Sequence, residues 1–367
     1  MSKQTTYSVA PQDRVSPASK LCYSIGFAGK DGFTTICNSY LMMFLMMVVG
    51  LDGAFIGLMM LAARIWDAIN DPILGSIADH TNSKWGRYRP YIFSVIPMAV
   101  IFARLFSNPD LSATGKMVYF TVVYILYGMG FTILEVPYFG LVGAMTHDPQ
   151  ERASITAWSR IVSRIPAFAL PLLLGWLTTT FDAPGLTIGA NGAFYTAVIV
   201  GVAAIVASLF SFFGCKEKAL VNAPASEKKS SGFRDFLDVL RGNWALAVVM
   251  IAQLFFTFNV ILSDMINGYY LTYSLGSPAL IMGAGVALVA VGCCIGQFLY
   301  PYVAGKIQSC KTIMMAGVPI YCALLALCYV AGNVSIPLYL VVLVLLNLFT
   351  GALQINVINL CFEVCDK

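Results

Sequence analysis

The sequence predicts an all-α integral membrane bundle, and three observations carry that expectation. Hydrophobic residues fill 59% of its 367 positions, charged residues only 11%, and the mean hydropathy is +0.79; a water-soluble domain of this size cannot hide so much apolar surface. Ten segments stay apolar over the roughly 20 residues that a helix needs to cross the hydrocarbon core: 21–49, 53–78, 90–107, 117–145, 154–180, 191–214, 243–273, 279–305, 311–331 and 336–363. Each is far longer than a barrel strand, and unpaired backbone groups cannot face lipid, so the segments are helices.

Taken in order, residues 1–20 form a polar N-terminal tail. The first span contains Lys30 and Asp31, unlike the short uncharged core of a cleavable signal, so it is retained. Spans one to six make an N-terminal bundle over 21–214. The polar stretch 215–242, with Lys216, Glu217, Lys218, Glu227, Lys228 and Lys229, is read as a central cytoplasmic loop, and 243–367 holds four further spans. A long loop after span six suggests two six-span halves, so the expectation is ten spans of twelve, with the last two missing. Prolines inside spans (Pro97, Pro137, Pro166, Pro171, Pro301, Pro319) are tolerated where neighbours satisfy the freed backbone groups.

Lysine and arginine set the orientation. The ends holding Lys20, Lys84, Arg87, Arg89, Arg152, Lys216, Lys218, Lys306 and Lys311 face a set of opposite ends where Lys116 stands alone, which puts both termini in the cytoplasm of a cell-membrane protein. These loops account for the formal net charge of +4 without a nucleic-acid partner. Most of the cysteines, such as Cys37, Cys293 and Cys328, lie within spans, no CxxC pair occurs, and they read as apolar filler rather than a metal or disulfide framework; Cys361 and Cys365, one turn apart, are read the same way. The expected unit is a monomer.

Ionisable residues near the bilayer centre cost about 3 kcal/mol each by insertion scales, so those retained line a pathway. They are Lys30 and Asp31 in span one, Arg64, Asp67 and Asp71 in span two, Glu135 in span four, Arg160 and Arg164 in span five, and in the second half only Asp264. Arg64, Asp67, Asn70 and Asp71 recur at spacings that share one helical stripe. Two carboxylates a turn apart repel unless a cation lies between them or one takes a proton, so the pair is a hard-cation site or a proton carrier, with Asn70 adding a neutral oxygen. A purely structural alternative has both aspartates neutralising Arg64 and Arg160.

In span four Thr132 and Glu135 face together, and Pro137 frees the carbonyl of Ile133. Glu135 suits a bidentate grip on two sugar hydroxyls, and Arg160 can donate to sugar oxygens while balancing Asp31 or Glu135. Tyr138, Phe139 and Trp158 are available to stack on an apolar sugar face. In the loop after span two, Asp79 is placed to pair with Arg87 or Arg89 as a cytoplasmic gate.

The string Arg64-Ile65-Trp66-Asp67-Ala68-Ile69-Asn70-Asp71-Pro72, with Gly75 and Trp85-Gly86-Arg87-Tyr88-Arg89-Pro90, resembles the glycoside-pentoside-hexuronide:cation symporters of the major facilitator superfamily. Gly29-Lys30-Asp31, Tyr40-Leu41-Met42, Thr132-Ile133-Leu134-Glu135-Val136-Pro137, Glu151-Arg152 and Arg160 follow in that family's order, while spans seven to ten match in general character only. The resemblance implies cation-coupled symport of a sugar or glycoside, with Asp67, Asn70, Asp71 and Thr132 as the cation (Na⁺ or H⁺) site. It implies sugar recognition by Lys30, Asp31, Glu135 and Arg160, with Arg64 and Phe139 beside them, and no cofactor beyond the coupling ion. Glu135, Phe139 and Met47 stand where the family also uses Asp, Trp and an acidic residue, so the pocket and cation choice are its own.

Two other readings are weighed. Asp67-x-x-x-Asp71 superficially matches an intramembrane prenyltransferase that holds a magnesium diphosphate, but a second aspartate-rich motif is lacking. A carrier of a non-sugar solute such as a lysolipid has little use for so many polar groups inside the spans.

Overall fold

A computed structural model describes residues 14–81, 83–146, 148–183, 186–217, 244–271, 279–307 and 310–365. Among them helices are the regular structure, joined by short loops, with a single isolated bridge between Ser83 and Gly86, and the chain divides into two compact units, residues 1–224 and 225–367.

The first unit begins with α1 (Pro17–Ile36), which runs through a π-helical turn (Cys37–Leu41) into α2 (Met42–Met47). Ser16 caps α1 by accepting from the Ser19 N–H, and Pro17 occupies the first-turn position where its missing N–H costs nothing. Next comes α3 (Gly53–His80), capped by Asp52, whose carboxylate accepts from the N–H groups of Ala54 and Phe55 at 2.9 and 3.2 Å. A 3₁₀ turn (Arg89–Ser94) leads into α4 (Val95–Leu105), followed by α5 (Ala113–Met145), α6 (Pro149–Val162), α7 (Arg164–Phe181) and α8 (Ala190–Gly214). On α3 the exposed residues Leu61, Ile65, Ile69, Ile73 and Ile77 recur every four positions, whereas Ile56, Met59, Ala63, Asn70 and Ala78 are buried. Such an exposed apolar stripe suits hydrocarbon, not water.

The second unit contains α9 (Trp244–Tyr269), α10 (Ala279–Ile307), α11 (Cys310–Val334) and α12 (Ile336–Cys365). Its core gathers Leu271, Tyr321, Tyr339, Leu343, Leu346 and Leu353. Where α10 meets α12, a methyl added at Gly292 would lie 2.6 Å from the Val344 carbonyl oxygen, and Gly296 and Gly351 are tighter still against Leu348 and Cys293. Small residues let the two backbones touch, the usual device for helix association in lipid.

Every expected span corresponds to helix, with three departures. Span five is two helices broken at Ser163, because Pro166 cannot donate to the carbonyl of Val162. Span one carries the π turn. Seven described helices, not ten, are long and apolar enough to cross a membrane by length and composition alone; the first carries Lys20, Lys30 and Asp31, the third has only 11 α-helical residues, and the seventh is apolar only over Ala247–Ser263. Arg104, in the last turn of α4, joins Lys116 at the basic-poor ends, so Lys116 is not alone there.

Candidate functional site

The polar residues of the first unit collect around α5. Asp67 on α3 faces Gly128 so closely that a methyl there would lie 2.9 Å from Asp67 Oδ1. One turn on, Thr132 Oγ1 donates to Asp71 Oδ1 at 2.9 Å and also lies 3.2 Å from the Gly128 carbonyl. One further turn brings Gly75 beside Val136. Both helices advance by four residues together, so α3 and α5 run parallel, and each carboxylate meets a small or hydroxylic residue. Asn70 and Thr132 are each only 7% exposed.

This cluster is left unsatisfied. Asp67 Oδ1 and Asn70 Nδ2 are buried without a hydrogen-bond partner, an arrangement that costs free energy unless a ligand completes it. Arg64 reaches Asp67 Oδ2 at 3.5 Å, but its side chain is 66% exposed, which makes it a weak counter-ion. Of the structural alternative, the Arg64–Asp67 pair is present, whereas Arg160 forms no ion pair among the described residues. Among the described residues no three His, Cys, Asp or Glu side chains converge on one position; the groups gathered here are two carboxylates, the Asn70 amide and the Thr132 hydroxyl.

Three residues beyond Thr132 on α5, Glu135 belongs to a second cluster. Lys30, 1% exposed, places its Nζ 2.8 Å from Asp31 Oδ1 and 2.8 Å from Glu135 Oε1. The ammonium also lies 4.5 Å from the Phe27 ring centre, 4.9 Å from Phe131 and 6.0 Å from Phe139. Two anions and the faces of aromatic rings offset the cost of burying one ammonium. Arg160 does not balance Asp31 or Glu135 as expected; Lys30 holds both, and the Arg160 guanidinium lies 5.6 Å from Phe27. Phe139 is half exposed and packs edge-on against Phe27 at 5.9 Å, while Tyr138 is buried beneath. Asp31 and Glu135 remain partly exposed, at 20% and 33%, and so keep lone pairs free for hydroxyl donors.

Of the loop residues, the side chain of Asp79 lies outside the described residues, so its pairing has no structural reading here; the same holds for Asp264, Cys361 and Cys365. Arg87 and Arg89 are themselves within the described residues. Their main-chain N–H groups, with that of Tyr88, donate to the Glu217 carboxylate, and the Arg89 guanidinium donates to the Phe212 carbonyl. Glu217, Gly128, Phe27 and Phe131 were not anticipated from the sequence. Gly128 and Phe131 had a usable signal, since each lies one turn from Thr132 or Glu135 on the same face of α5.

Comparison with known proteins places this architecture. A model of the MFS/sugar transport protein family matches residues 22–367. The chain is 30% identical over 289 residues to the inner membrane symporter YicJ of Escherichia coli (78% of this chain, 60% of the relative). It is 28% identical over 311 residues to the isoprimeverose transporter of Lactiplantibacillus pentosus (84% and 63%). It thus spans about three fifths of these relatives' length. Among solved structures, a D-xylose-proton symporter superposes with a TM-score of 0.64 at 14% identity, covering 95% of this chain and 86% of the other, a likeness of fold. The family and these relatives are transporters, not enzymes, which removes the prenyltransferase reading, and the chain belongs to the MFS/sugar transport protein family.

Proposed function

We propose that the protein carries a sugar or glycoside across the cell membrane together with a monovalent cation, Na⁺ or H⁺, by alternating access. One observation carries the reading: the two polar clusters share α5 within a single turn, Thr132 bonded to Asp71 and Glu135 bonded to Lys30. Asp67, Asn70, Asp71 and Thr132 hold the cation, which satisfies the orphaned Asp67 Oδ1. Rotating the Asn70 amide presents its oxygen to the same point. Asp31, Glu135 and Arg160 address the sugar hydroxyls, Phe139 stacks on the ring, and Lys30 bridges the two carboxylates.

Because a cation drawn to Asp71 fixes Thr132, and with it the α5 turn that presents Glu135, each ligand raises affinity for the other by a reciprocal factor of about 5 to 150. Rocking of two helical halves then exposes both sites alternately, with both termini in the cytoplasm as the basic loops require. Homology to an isoprimeverose transporter and to lactose permeases supports a glycoside cargo. A lysolipid carrier is less suited to the Lys30 cluster.

The test is uptake into proteoliposomes carrying the full-length protein, with galactosides, glucosides, xylosides and glucuronides offered under an imposed sodium or proton gradient. Gradient-stimulated uptake of at least one class is expected. No stimulation by either gradient for any class would refute symport.

A further inference from the structure

We propose that Glu217 is a positioning residue for transport: its carboxylate clamps the loop that follows α3 to the end of α8, so the helix bearing Asp67 and Asp71 moves with α8 as one body. The proposal rests on the symport reading above.

The clamp is reciprocal. Glu217, three residues past the end of α8, accepts from the main-chain N–H of Arg87 at 2.6 Å on Oε2, and from those of Tyr88 and Arg89 at 2.9 and 2.8 Å on Oε1. In the other direction, Arg89 Nε donates to the Phe212 carbonyl of α8 at 3.0 Å, and the guanidinium lies 4.7 Å from the Phe212 ring. Trp85 and Phe93 close around that ring at 5.9 and 4.6 Å. Three amides on one carboxylate are charge-assisted bonds, roughly twice as strong as neutral ones.

The loop is shaped for this. Gly86 has φ +113°, and any side chain there would begin 2.6 Å from the Glu217 carboxylate; only glycine combines that backbone with that approach. Unclamped, the segment between α3 and α4 would let α3 shift along α5, where even a methyl added at Gly75 would lie 3.8 Å from Val136, in ordinary contact without a clash. Clamped, a displacement of the cation-site helix is passed to α8.

The test uses the full-length carrier in proteoliposomes. In the wild type, the amides of Arg87, Tyr88 and Arg89 should exchange with deuterium slowly although they lie in a loop; fast exchange would overturn the clamp without any variant. Cys215, two residues before Glu217, is fully buried, and burial pushes its thiol up to about 12, so site-resolved maleimide labelling should be slow. Glu217→Ala should label Cys215 at least about tenfold faster, as expected for a thiol released from burial. The same variant should lower maximal sugar uptake roughly tenfold, as expected for loss of charge-assisted bonds, with half-saturation for sugar and cation unchanged. Glu217→Asp, which keeps the charge, should restore part of the rate, and Glu217→Gln less. Wild-type uptake and labelling in Glu217→Ala, or a loss confined to affinity, would overturn the proposal. If the wild type showed no gradient-driven uptake, symport would fail, while exchange and labelling would still decide the clamp.

Discussion

In the first unit Lys30 is buried between two carboxylates, each 2.8 Å from its ammonium, and Asp67 keeps a buried oxygen without a partner. Among its described residues, the second unit pairs three tyrosines with asparagines: Tyr321 donates to Asn259 at 2.6 Å, Tyr339 to Asn267 at 2.8 Å, and Tyr300 to Asn356 at 3.0 Å. Neutral amide–phenol pairs fix helix register in a medium that offers no competing water. Ions are far more costly there, and an unfinished ionic cluster is retained only where a ligand finishes it. The contrast supports the proposal that the charged unit carries the ligand chemistry.

Removing the ammonium tests that contrast most severely. Lys30→Ala leaves two carboxylates uncompensated and should destabilise the protein by about 3–5 kcal/mol, read as a large drop in the thermal unfolding midpoint in detergent. If Lys30→Ala unfolded like the wild type, the ionic cluster would not be held as described. Next, Gly351→Ala in the second unit drives a methyl into the Cys293 carbonyl and should cost about 1–3 kcal/mol by overpacking, with sugar and cation affinities intact.

Gly128→Ala brings a methyl within 2.9 Å of Asp67 Oδ1, and Thr132→Val removes the donor to Asp71. Each should weaken cation binding roughly tenfold, Thr132→Val by the loss of one hydrogen bond to a charged group and Gly128→Ala by crowding the carboxylate, measured as the cation concentration that half-saturates sugar binding. Tyr339→Phe deletes one neutral hydrogen bond and should cost about 1 kcal/mol in stability, again without affecting cation dependence. The smallest effect belongs to Arg64→Gln: the side chain is 66% exposed and 3.5 Å from Asp67, so stability should change by less than about 1 kcal/mol.

How much of this was legible in the sequence follows the range of the interactions. The helices were readable because hydrophobic runs are local, and so was the stripe Asp67, Asn70, Asp71. The break at Ser163 was hidden in a continuous apolar run, although Pro166 marked it. The meeting of Lys30 with Glu135, 105 positions apart, has no local signature and was accessible only through family resemblance. So was the apposition of Thr132 and Asp71, which depends on α3 and α5 running parallel. Glu217 was invisible for a different reason. A Lys-Glu-Lys run after a span reads as a solvated loop, and nothing in it reveals that the partner is main chain made available by the backbone of Gly86.

The central claim is that cation and sugar sense each other through α5, and reciprocal binding measures it most directly. Sugar affinity is determined by calorimetry on the purified full-length carrier with and without saturating Na⁺, and across pH for H⁺, alongside Asp71→Asn. The account predicts that the coupling cation tightens sugar binding by a factor of about 5 to 150, and that this factor falls to one in Asp71→Asn while sugar is still bound. Equal sugar affinity with and without either cation in the wild type, or an undiminished factor in Asp71→Asn, would contradict it.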